Sequence, residues 1–228
     1  MSEFENASVG IQKSGRLTEE TLQWLNENVG SDFPISEDPF DRRRELADSS
    51  TGITVVGYSN GDTLKAAACR IVDLAVSGSD MLQERIATPS TEGTGLRVVK
   101  KMGIATCRLV YAQPMSRSAQ EEPVKRVVTS YPSITKRFLD AKGLTDATVD
   151  VFSGGIEPIA RRGNYDGLVD IVGTGGTLED NDFEEVESIY DCEAVTITAA
   201  PSVRQDLEIL TEELQQHLGP NWQDELFF

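Results

Sequence analysis

The segment from Asp166 to Leu178 combines residue types that could bind a phosphorylated sugar. An apolar strand, predicted over 167–172, carries Asp166 and Asp170 and runs into Thr174-Gly175-Gly176-Thr177 at the start of a predicted helix. Glycines let successive backbone N–H groups point into one concavity, and threonine hydroxyls and a helix N-terminus add to the attraction for an anion. The turn therefore suits a phosphate monoester, and the carboxylates before it suit sugar hydroxyls.

Spacing alone leaves other interpretations of this turn open. Glycine-rich turns between strand and helix are common, so a purely structural turn is the alternative, in which Asp170 could cap the turn. The spacing is neither GxGxxG nor GxxxxGK[ST], which disfavours a dinucleotide fold and a P-loop. An acidic residue four positions before Thr-Gly-Gly-Thr resembles the phosphoribosyl-pyrophosphate motif of the type I phosphoribosyltransferases.

Few other side chains offer metal or nucleophilic chemistry. Cys69, Cys107 and Cys192 are far apart in the sequence and odd in number, so we expect buried thiols and neither a disulfide framework nor a CxxC metal site. His217 is the only histidine, which argues against histidine-based metal binding or acid/base chemistry. No metal site made by side chains is predicted.

Composition excludes two classes of partner. The net charge of -17 argues against nucleic acid, whose phosphates need clustered Lys and Arg. No apolar run approaches the roughly 18 residues of a membrane span. The first five residues are acidic where a secretory signal would be basic, so we expect a cytoplasmic protein. An anionic substrate would need local basic groups, and Lys13 and Arg16 are candidates, although a solvated basic loop is the alternative.

The apolar pattern predicts alternating strands and helices, as in an α/β sheet covered by helices. The strands are predicted at 9–11, 53–57, 72–76, 108–112, 126–129, 148–152, 167–172 and 194–199. The helices are predicted from an N-cap at Thr18 to Gly30, and at 63–70, 134–142, 178–190 and 203–218. The polar stretch 31–50 is expected to cross the surface.

Several segments, in this order and spacing, resemble those of the ATP phosphoribosyltransferases. Besides Asp166–Leu178, they are Gln12–Leu17, Val72–Leu82, Cys107–Leu109, Val128–Pro132 with Lys136–Phe138, and Gly154–Glu157. The resemblance implies an α/β, two-lobed type II periplasmic-binding-protein-like fold with the active site in the interlobe cleft. Lobe I would hold 1–108 and 193–228, and lobe II would hold 109–192 with the phosphoribosyl-pyrophosphate loop.

The resemblance also implies a reaction, in which N1 of ATP attacks phosphoribosyl pyrophosphate and pyrophosphate leaves with Mg²⁺, opening histidine biosynthesis. The loop residues Thr174, Gly175, Gly176, Thr177 and Leu178 would cradle the 5′-phosphate. Asp166 and Asp170 would bind ribose hydroxyls, and Glu157 would orient a hydroxyl or a magnesium-bound water. Lys13 and Arg16 would neutralise pyrophosphate or nucleotide phosphates as catalytic residues. Asp62, Gly78 and Arg108 would add nucleotide contacts, and the Arg42–Arg44 cluster could add to them or be ordinary surface.

Departures from the family pattern keep alternatives open. The family's Arg-x-x-Asp-Ile/Val-Pro stretch is represented in Tyr58–Leu64 only by Asp62, and Gly155 replaces a serine. A divergent paralogue with another acceptor, an inactive regulatory homologue, and a solute-binding protein are therefore the alternatives. The chain resembles the short family members, which lack a C-terminal regulatory domain and associate with a histidyl-tRNA synthetase-like regulatory subunit.

Overall fold

A computed structural model describes residues 7–36, 38–87, 96–117, 123–173 and 175–199. Contacts divide them into two compact units, one formed by 7–78, 96–105 and 194–199 and the other by 79–87 and 106–193. These units differ from the proposed lobes mainly at 79–87, which belongs with the second unit because its helix packs on a helix there.

Seventeen elements follow one another in the described residues. The strands are β1 (Ala7–Gln12), β2 (Glu45–Asp48), β3 (Ile53–Tyr58), β4 (Leu74–Gly78), β5 (Leu96–Lys101), β6 (Cys107–Pro114), β7 (Arg126–Thr129), β8 (Thr148–Val151), β9 (Gly167–Val172), β10 (Phe183–Cys192) and β11 (Ala194–Ala199). The helices are α1 (Arg16–Val29), α2 (Asn60–Ala68), α3 (Ser79–Ala87), α4 (Pro132–Ala141), α5 (Ile156–Arg162) and α6 (Gly176–Asp180).

The first unit is built on a six-stranded sheet in the order β2-β3-β1-β4-β11-β5. The strands β3, β1 and β4 run parallel, and the outer strands pair antiparallel. Helix α1 buries Leu22 and Leu25, as its apolar stripe predicts, and ends at Gly30 with a left-handed φ of 76°. The N-cap prediction was wrong. Gly15 precedes the helix, and the buried Thr18 lies inside it, where its hydroxyl donates to the Gln12 carbonyl at 2.6 Å.

The second unit is built on a five-stranded sheet in the order β10-β6-β9-β7-β8. The strands β9, β7 and β8 run parallel, whereas β6 and β10 are antiparallel to their neighbours. Apolar side chains fill both faces of this sheet. One cluster includes Val110, Leu168 and Leu178, and the other includes Leu109, Val127 and Leu139. A sheet that is buried on both faces needs apolar runs without strict alternation, which matches 167–172.

The predicted acidic helix over 178–190 was wrong. Helix α6 spans only Gly176–Asp180, and Phe183–Cys192 forms the edge strand β10 along β6. Asp182 has a φ of 62°, which separates the two elements, and Phe183 is buried at 2 % exposure. The acidic residues suggested a solvated helix, but they fit an edge strand equally well because charges there discourage pairing with another chain.

Replacing Gly167 by alanine is expected to destabilise the protein. A Cβ at Gly167 would lie 2.6 Å from the Tyr111 ring and 2.8 Å from its hydroxyl, so the buried ring must shift. Overpacking of this kind costs about 1–3 kcal/mol of unfolding free energy. Thermal unfolding of Gly61→Ala is the matched control, since a Cβ there meets nothing within 4 Å. Equal melting temperatures for the two variants would contradict the close contact.

Two further predictions lie outside the described residues: the helix over 203–218 with His217, and the aromatic tail over 222–228. Within the described residues, no helix has the length and apolar character needed to cross a membrane.

Candidate functional site

Three parallel strands of the second unit end side by side and carry most of the predicted site. Strand β7 leads through Ser130 and Tyr131 into α4, β8 leads through 152–155 into α5, and β9 leads through 173–175 into α6. Ligands of α/β sheets bind outside the carboxyl ends of parallel strands, so this edge is the candidate site.

The glycine-rich turn follows the central strand of this sheet. Gly175 has a φ of 92°, a left-handed conformation that favours glycine. Gly176 and Thr177 are exposed, and the Thr177 carbonyl accepts a hydrogen bond from the Asn181 side-chain amide at 2.9 Å. Leu178 has another role, since its side chain is buried and its N–H donates to the Gly175 carbonyl at 3.1 Å. It anchors the turn. Thr174 lies outside the described residues.

Asp170 lies near the same edge of the sheet. It directly follows Val169, the last residue of β9 that pairs with β7. Its Oδ1 accepts hydrogen bonds from the Ser130 hydroxyl at 3.3 Å and from the Ile171 N–H at 2.9 Å. Burial raises the pKa of Asp170 to about 6 in spite of these bonds, and the nearby charges of Glu157 and Asp80 act in the same direction. Asp170 and Glu157, which lies in the first turn of α5, are therefore close enough to repel each other.

Asp166 lies at the opposite end of β9 and is not brought to the turn. The strand between them, Gly167–Val172, spans about 20 Å at roughly 3.3 Å per residue. Its carboxylate accepts hydrogen bonds from the N–H groups of Lys125 and Arg126 at 2.8 and 2.9 Å and pairs with Arg117. Burial opposes ionisation, yet these donors hold the pKa of Asp166 below its usual value. The carboxylate fastens the start of β7, and its predicted contact with the same ribose as Asp170 does not fit.

Sequence reasoning gave no role to a buried pair behind this edge. The Tyr131 hydroxyl donates to Asp80 Oδ2 at 2.7 Å, and burial raises the pKa of both groups. Glu84, on the same helix as Asp80, accepts from the N–H groups of Ser133 and Ile134 at the start of α4. A carboxylate at a helix N-terminus is stabilising. These contacts fix α3 against α4, and only the family-like segments around Asp80 and Tyr131 pointed to them.

The first unit has a comparable edge, which collects three of the predicted nucleotide residues. Lys13 follows β1, Asp62 lies in the first turn of α2 after β3, and Gly78 ends β4. Because β3, β1 and β4 are adjacent and parallel, their carboxyl ends meet. The Lys13 N–H donates to the Tyr58 carbonyl at 2.8 Å, which ties the two strand ends together.

A pocket of about 700 Å³ opens beside Lys13. It is lined by Lys13, Ser14, Asp38, Phe40, Asp41, Arg42 and Arg44. The structure thus brings Lys13 together with two arginines of the cluster that the sequence left as either site or surface. Three cations against two carboxylates make the pocket locally basic in a protein with a net charge of -17.

Arg16 and Arg108 are placed less favourably for nucleotide binding. Arg16 begins α1, is exposed, and lies 3.6 Å from the Glu20 carboxylate. Arg108 lies on β6 opposite Val172, near the glycine-rich turn and in the second unit. Its guanidinium pairs with Glu185 of the edge strand at 2.8 Å. A role for either side chain would require it to leave an ion pair that is half-exposed and therefore weak.

Solved structures of other proteins share this fold. A chain of the ATP phosphoribosyl transferase (HisG:HisZ) complex from Thermotoga maritima matches with a TM-score of 0.70 and 23% identity, over 92% of this chain and 99% of that chain. The alkanesulfonate-binding protein SsuA from Xanthomonas axonopodis pv. citri matches with a TM-score of 0.54 and 15% identity, over 96% of this chain and 75% of that chain. The fold is type II periplasmic-binding-protein-like, as expected.

The family model described as HisG, ATP phosphoribosyltransferase, matches residues 60–218, which is more than half of the chain. The chain belongs to the HisG family of ATP phosphoribosyltransferases. It is therefore a glycosyltransferase of histidine biosynthesis, which confirms the activity implied by the resemblance. The match includes the second unit's edge and leaves out Lys13 and Arg42.

Proposed function

We propose that this chain binds phosphoribosyl pyrophosphate at the carboxyl edge of β7, β8 and β9 and transfers its phosphoribosyl group to N1 of ATP. The supporting observation is the meeting of an exposed glycine-threonine turn with Asp170 and Glu157 at one sheet edge. A phosphorylated ribose carries a phosphate, which needs hydrogen-bond donors, next to hydroxyls, which can donate to carboxylates. The turn and the two carboxylates are these two kinds of group.

In the donor site, the 5′-phosphate lies against the turn. Backbone N–H groups of Gly175 and Gly176 and the hydroxyls of Thr174 and Thr177 donate to its oxygens, and Leu178 holds the turn on the core. Asp170 accepts from a ribose hydroxyl, and Glu157 accepts from the other hydroxyl or from a magnesium-bound water. Asp166 supports the site from the far end of β9 through its bonds to Lys125 and Arg126.

Replacing Thr177 by valine should weaken donor binding selectively. The change removes one hydroxyl donor to a charged phosphate at nearly constant volume, and such a hydrogen bond contributes about 1.5–3 kcal/mol. We expect a roughly 10- to 100-fold higher KM for phosphoribosyl pyrophosphate and an unchanged KM for ATP. Thr145→Val, at an exposed loop position, is the control. Unchanged donor kinetics in Thr177→Val would rule out the cradle.

The chemistry asks little of acid/base groups. Adenine N1 carries a lone pair and no proton, so attack with inversion at the anomeric carbon needs no strong general base. Rate enhancement comes from aligning N1 with the carbon and from stabilising charge on the departing pyrophosphate. Among the residues that the structure describes, no group of three or more His, Cys, Asp or Glu side chains is arranged to hold a metal. We propose that Mg²⁺ enters bound to the pyrophosphate and neutralises its charge.

The acceptor's phosphates are assigned to the basic pocket of the first unit. Lys13, Arg42 and Arg44 line one pocket that has room for a triphosphate chain, and Asp62 and Gly78 lie at the same sheet edge as Lys13. Arg16 and Arg108 join this set only if they leave their glutamate partners. The Arg44 carbonyl accepts a hydrogen bond from the Gly57 N–H at 2.8 Å, next to the end of β3, after which the family's usual arginine is missing.

We also propose that the chain works with a histidyl-tRNA synthetase-like regulatory subunit in the cytoplasm. The Thermotoga maritima chain that it matches over 99% of its length comes from a HisG:HisZ complex. Co-expression with a synthetase-like protein from the same genome should give a co-eluting complex whose activity responds to histidine. Separate elution at micromolar concentration, with histidine-insensitive activity, would contradict this partner.

A further inference from the structure

Two cysteines that are 85 positions apart in the sequence meet in the second sheet. Cys107 is the first residue of β6 and Cys192 is the last residue of β10, and the antiparallel register pairs them directly. Cys192 is buried, whereas Cys107 is half-buried and therefore reachable from solvent. Distance in the sequence had argued against a disulfide, and the strand register removes that argument.

The geometry of the ladder permits a covalent bond between them. Directly paired residues of antiparallel strands have Cα atoms about 4.5–5.5 Å apart. Disulfides span Cα distances of about 4.4–6.8 Å, so no rearrangement of the strands is required. The two thiols already share a hydrogen bond, and Cys192 Sγ also lies 3.8 Å from the Tyr190 carbonyl oxygen.

We propose that Cys107 and Cys192 form a reversible intramolecular disulfide when the protein reacts with hydrogen peroxide. The Cys107 sulfur attacks the peroxide oxygen, the O–O bond breaks, and a sulfenic acid and water form. The Cys192 sulfur then displaces the sulfenic oxygen as a second water, which leaves the S–S bond. Both cysteines are oxidised and the peroxide is reduced; a dithiol reverses the step by exchange.

The order of events follows from the surroundings of each thiol. The hydrogen bond to Cys107 and burial raise the pKa of the Cys192 thiol, so Cys192 is a poor first nucleophile. Cys107 is the more accessible sulfur, so it meets the peroxide first. Cys192 is then in place to resolve the sulfenic acid before further oxidation.

The bond would enclose all five strands of the second sheet. Residues 107–192 contain β6 through β10 and the three turns of the candidate site. A cross-link that closes a long loop restricts the unfolded chain and stabilises the fold. We therefore expect the oxidised protein to melt roughly 5–15 °C higher than the reduced protein.

The test is mass spectrometry of the full chain after treatment with hydrogen peroxide, followed by alkylation under denaturing conditions. Oxidised protein should lose two hydrogen atoms, take up alkyl label only at Cys69, and yield a peptide pair that links Cys107 to Cys192. Dithiothreitol should restore labelling of all three cysteines and lower the melting temperature again. Cys69→Ser should form the same bond and show the same melting shift as wild type, since Cys69 is exposed and belongs to the first unit.

Cys107→Ser and Cys192→Ser should each lose both the cross-linked peptide and the shift, and Cys192→Ala replaces the second variant if it does not fold. Labelling of all three cysteines after peroxide would overturn the proposal. Sulfinic acid at Cys107 without a linked peptide would also overturn it, as would dimers through Cys69 as the sole oxidised product. These readouts do not depend on transferase activity, so the proposed function stands or falls separately.

Discussion

Asp170→Asn is expected to give a protein that is more stable at pH 8 and much less active with its sugar donor. The pKa of Asp170 is raised from 3.8 to about 6 by burial, so the folded state holds its proton more tightly than the unfolded chain. The free energy of unfolding therefore falls as the pH rises from about 4 to 6. Above pH 6 the full cost of burying the ionised carboxylate remains. That cost is at most about 3 kcal/mol for two pH units, and less because the carboxylate is partly exposed.

The activity of Asp170→Asn should fall although its stability at pH 8 rises. The ionised carboxylate is the form that accepts a ribose hydroxyl, so wild-type kcat/KM for the donor should fall as pH drops through about 6. Asparagine removes the charge, and loss of a charged hydrogen bond should lower kcat/KM by roughly 10- to 100-fold and flatten that pH dependence. Asp146→Asn, at an exposed loop position, should leave the donor kcat/KM and the melting temperature unchanged. A variant that is less stable at pH 8, with an unaltered pH profile, would show that Asp170 is a structural cap of the turn.

The double variant Lys13→Ala, Arg42→Ala should bind ATP poorly and keep its affinity for phosphoribosyl pyrophosphate. Each cation contributes about 1.5–3 kcal/mol where it meets a phosphate oxygen, so the KM for ATP should rise by roughly 100-fold or more. Initial-rate kinetics with each substrate varied in turn separates the two affinities. Part of the difference should disappear at high salt, because the pocket is open to solvent.

An opposite change in the same pocket provides the matched comparison. Asp38 is exposed and lines the pocket with Lys13, so Asp38→Asn should lower the KM for ATP by roughly two- to fivefold. Lys65→Ala, an exposed helix position away from the pocket, should have no effect. If the double variant Lys13→Ala, Arg42→Ala and the control Lys65→Ala had the same KM for ATP, the pocket would not be part of the acceptor site.

Elements with a buried face could be predicted from the sequence, and elements defined by their partners could not. Strand β9 and helix α1 carry apolar residues at positions that are buried in the core. The edge strand β10 is polar along most of its length, and its conformation depends on pairing with β6, which no local pattern reveals. The same holds for β2, whose four residues lie on β3.

Which predicted site residues lie together depends on distances along a strand, which the sequence pattern does not show. Asp166 and Asp170 look equivalent in the sequence, yet six residues of extended chain put Asp166 at the wrong end of β9. The pattern left Arg42 and Arg44 open as either nucleotide contacts or ordinary surface, and only the fold places them beside Lys13. The turn at Gly175 was predicted because its glycine requirement is local.

The central claim is that a phosphorylated pentose bound at the Gly175–Thr177 turn is transferred to ATP. The most direct measurement incubates the purified chain, with and without a synthetase-like partner, with ATP, phosphoribosyl pyrophosphate and Mg²⁺, and quantifies both products by mass spectrometry. The account predicts phosphoribosyl-ATP and pyrophosphate in equal amounts, and a large loss of both products in Asp170→Asn. Pyrophosphate without a phosphoribosylated nucleotide, or undiminished product in Asp170→Asn, would contradict it.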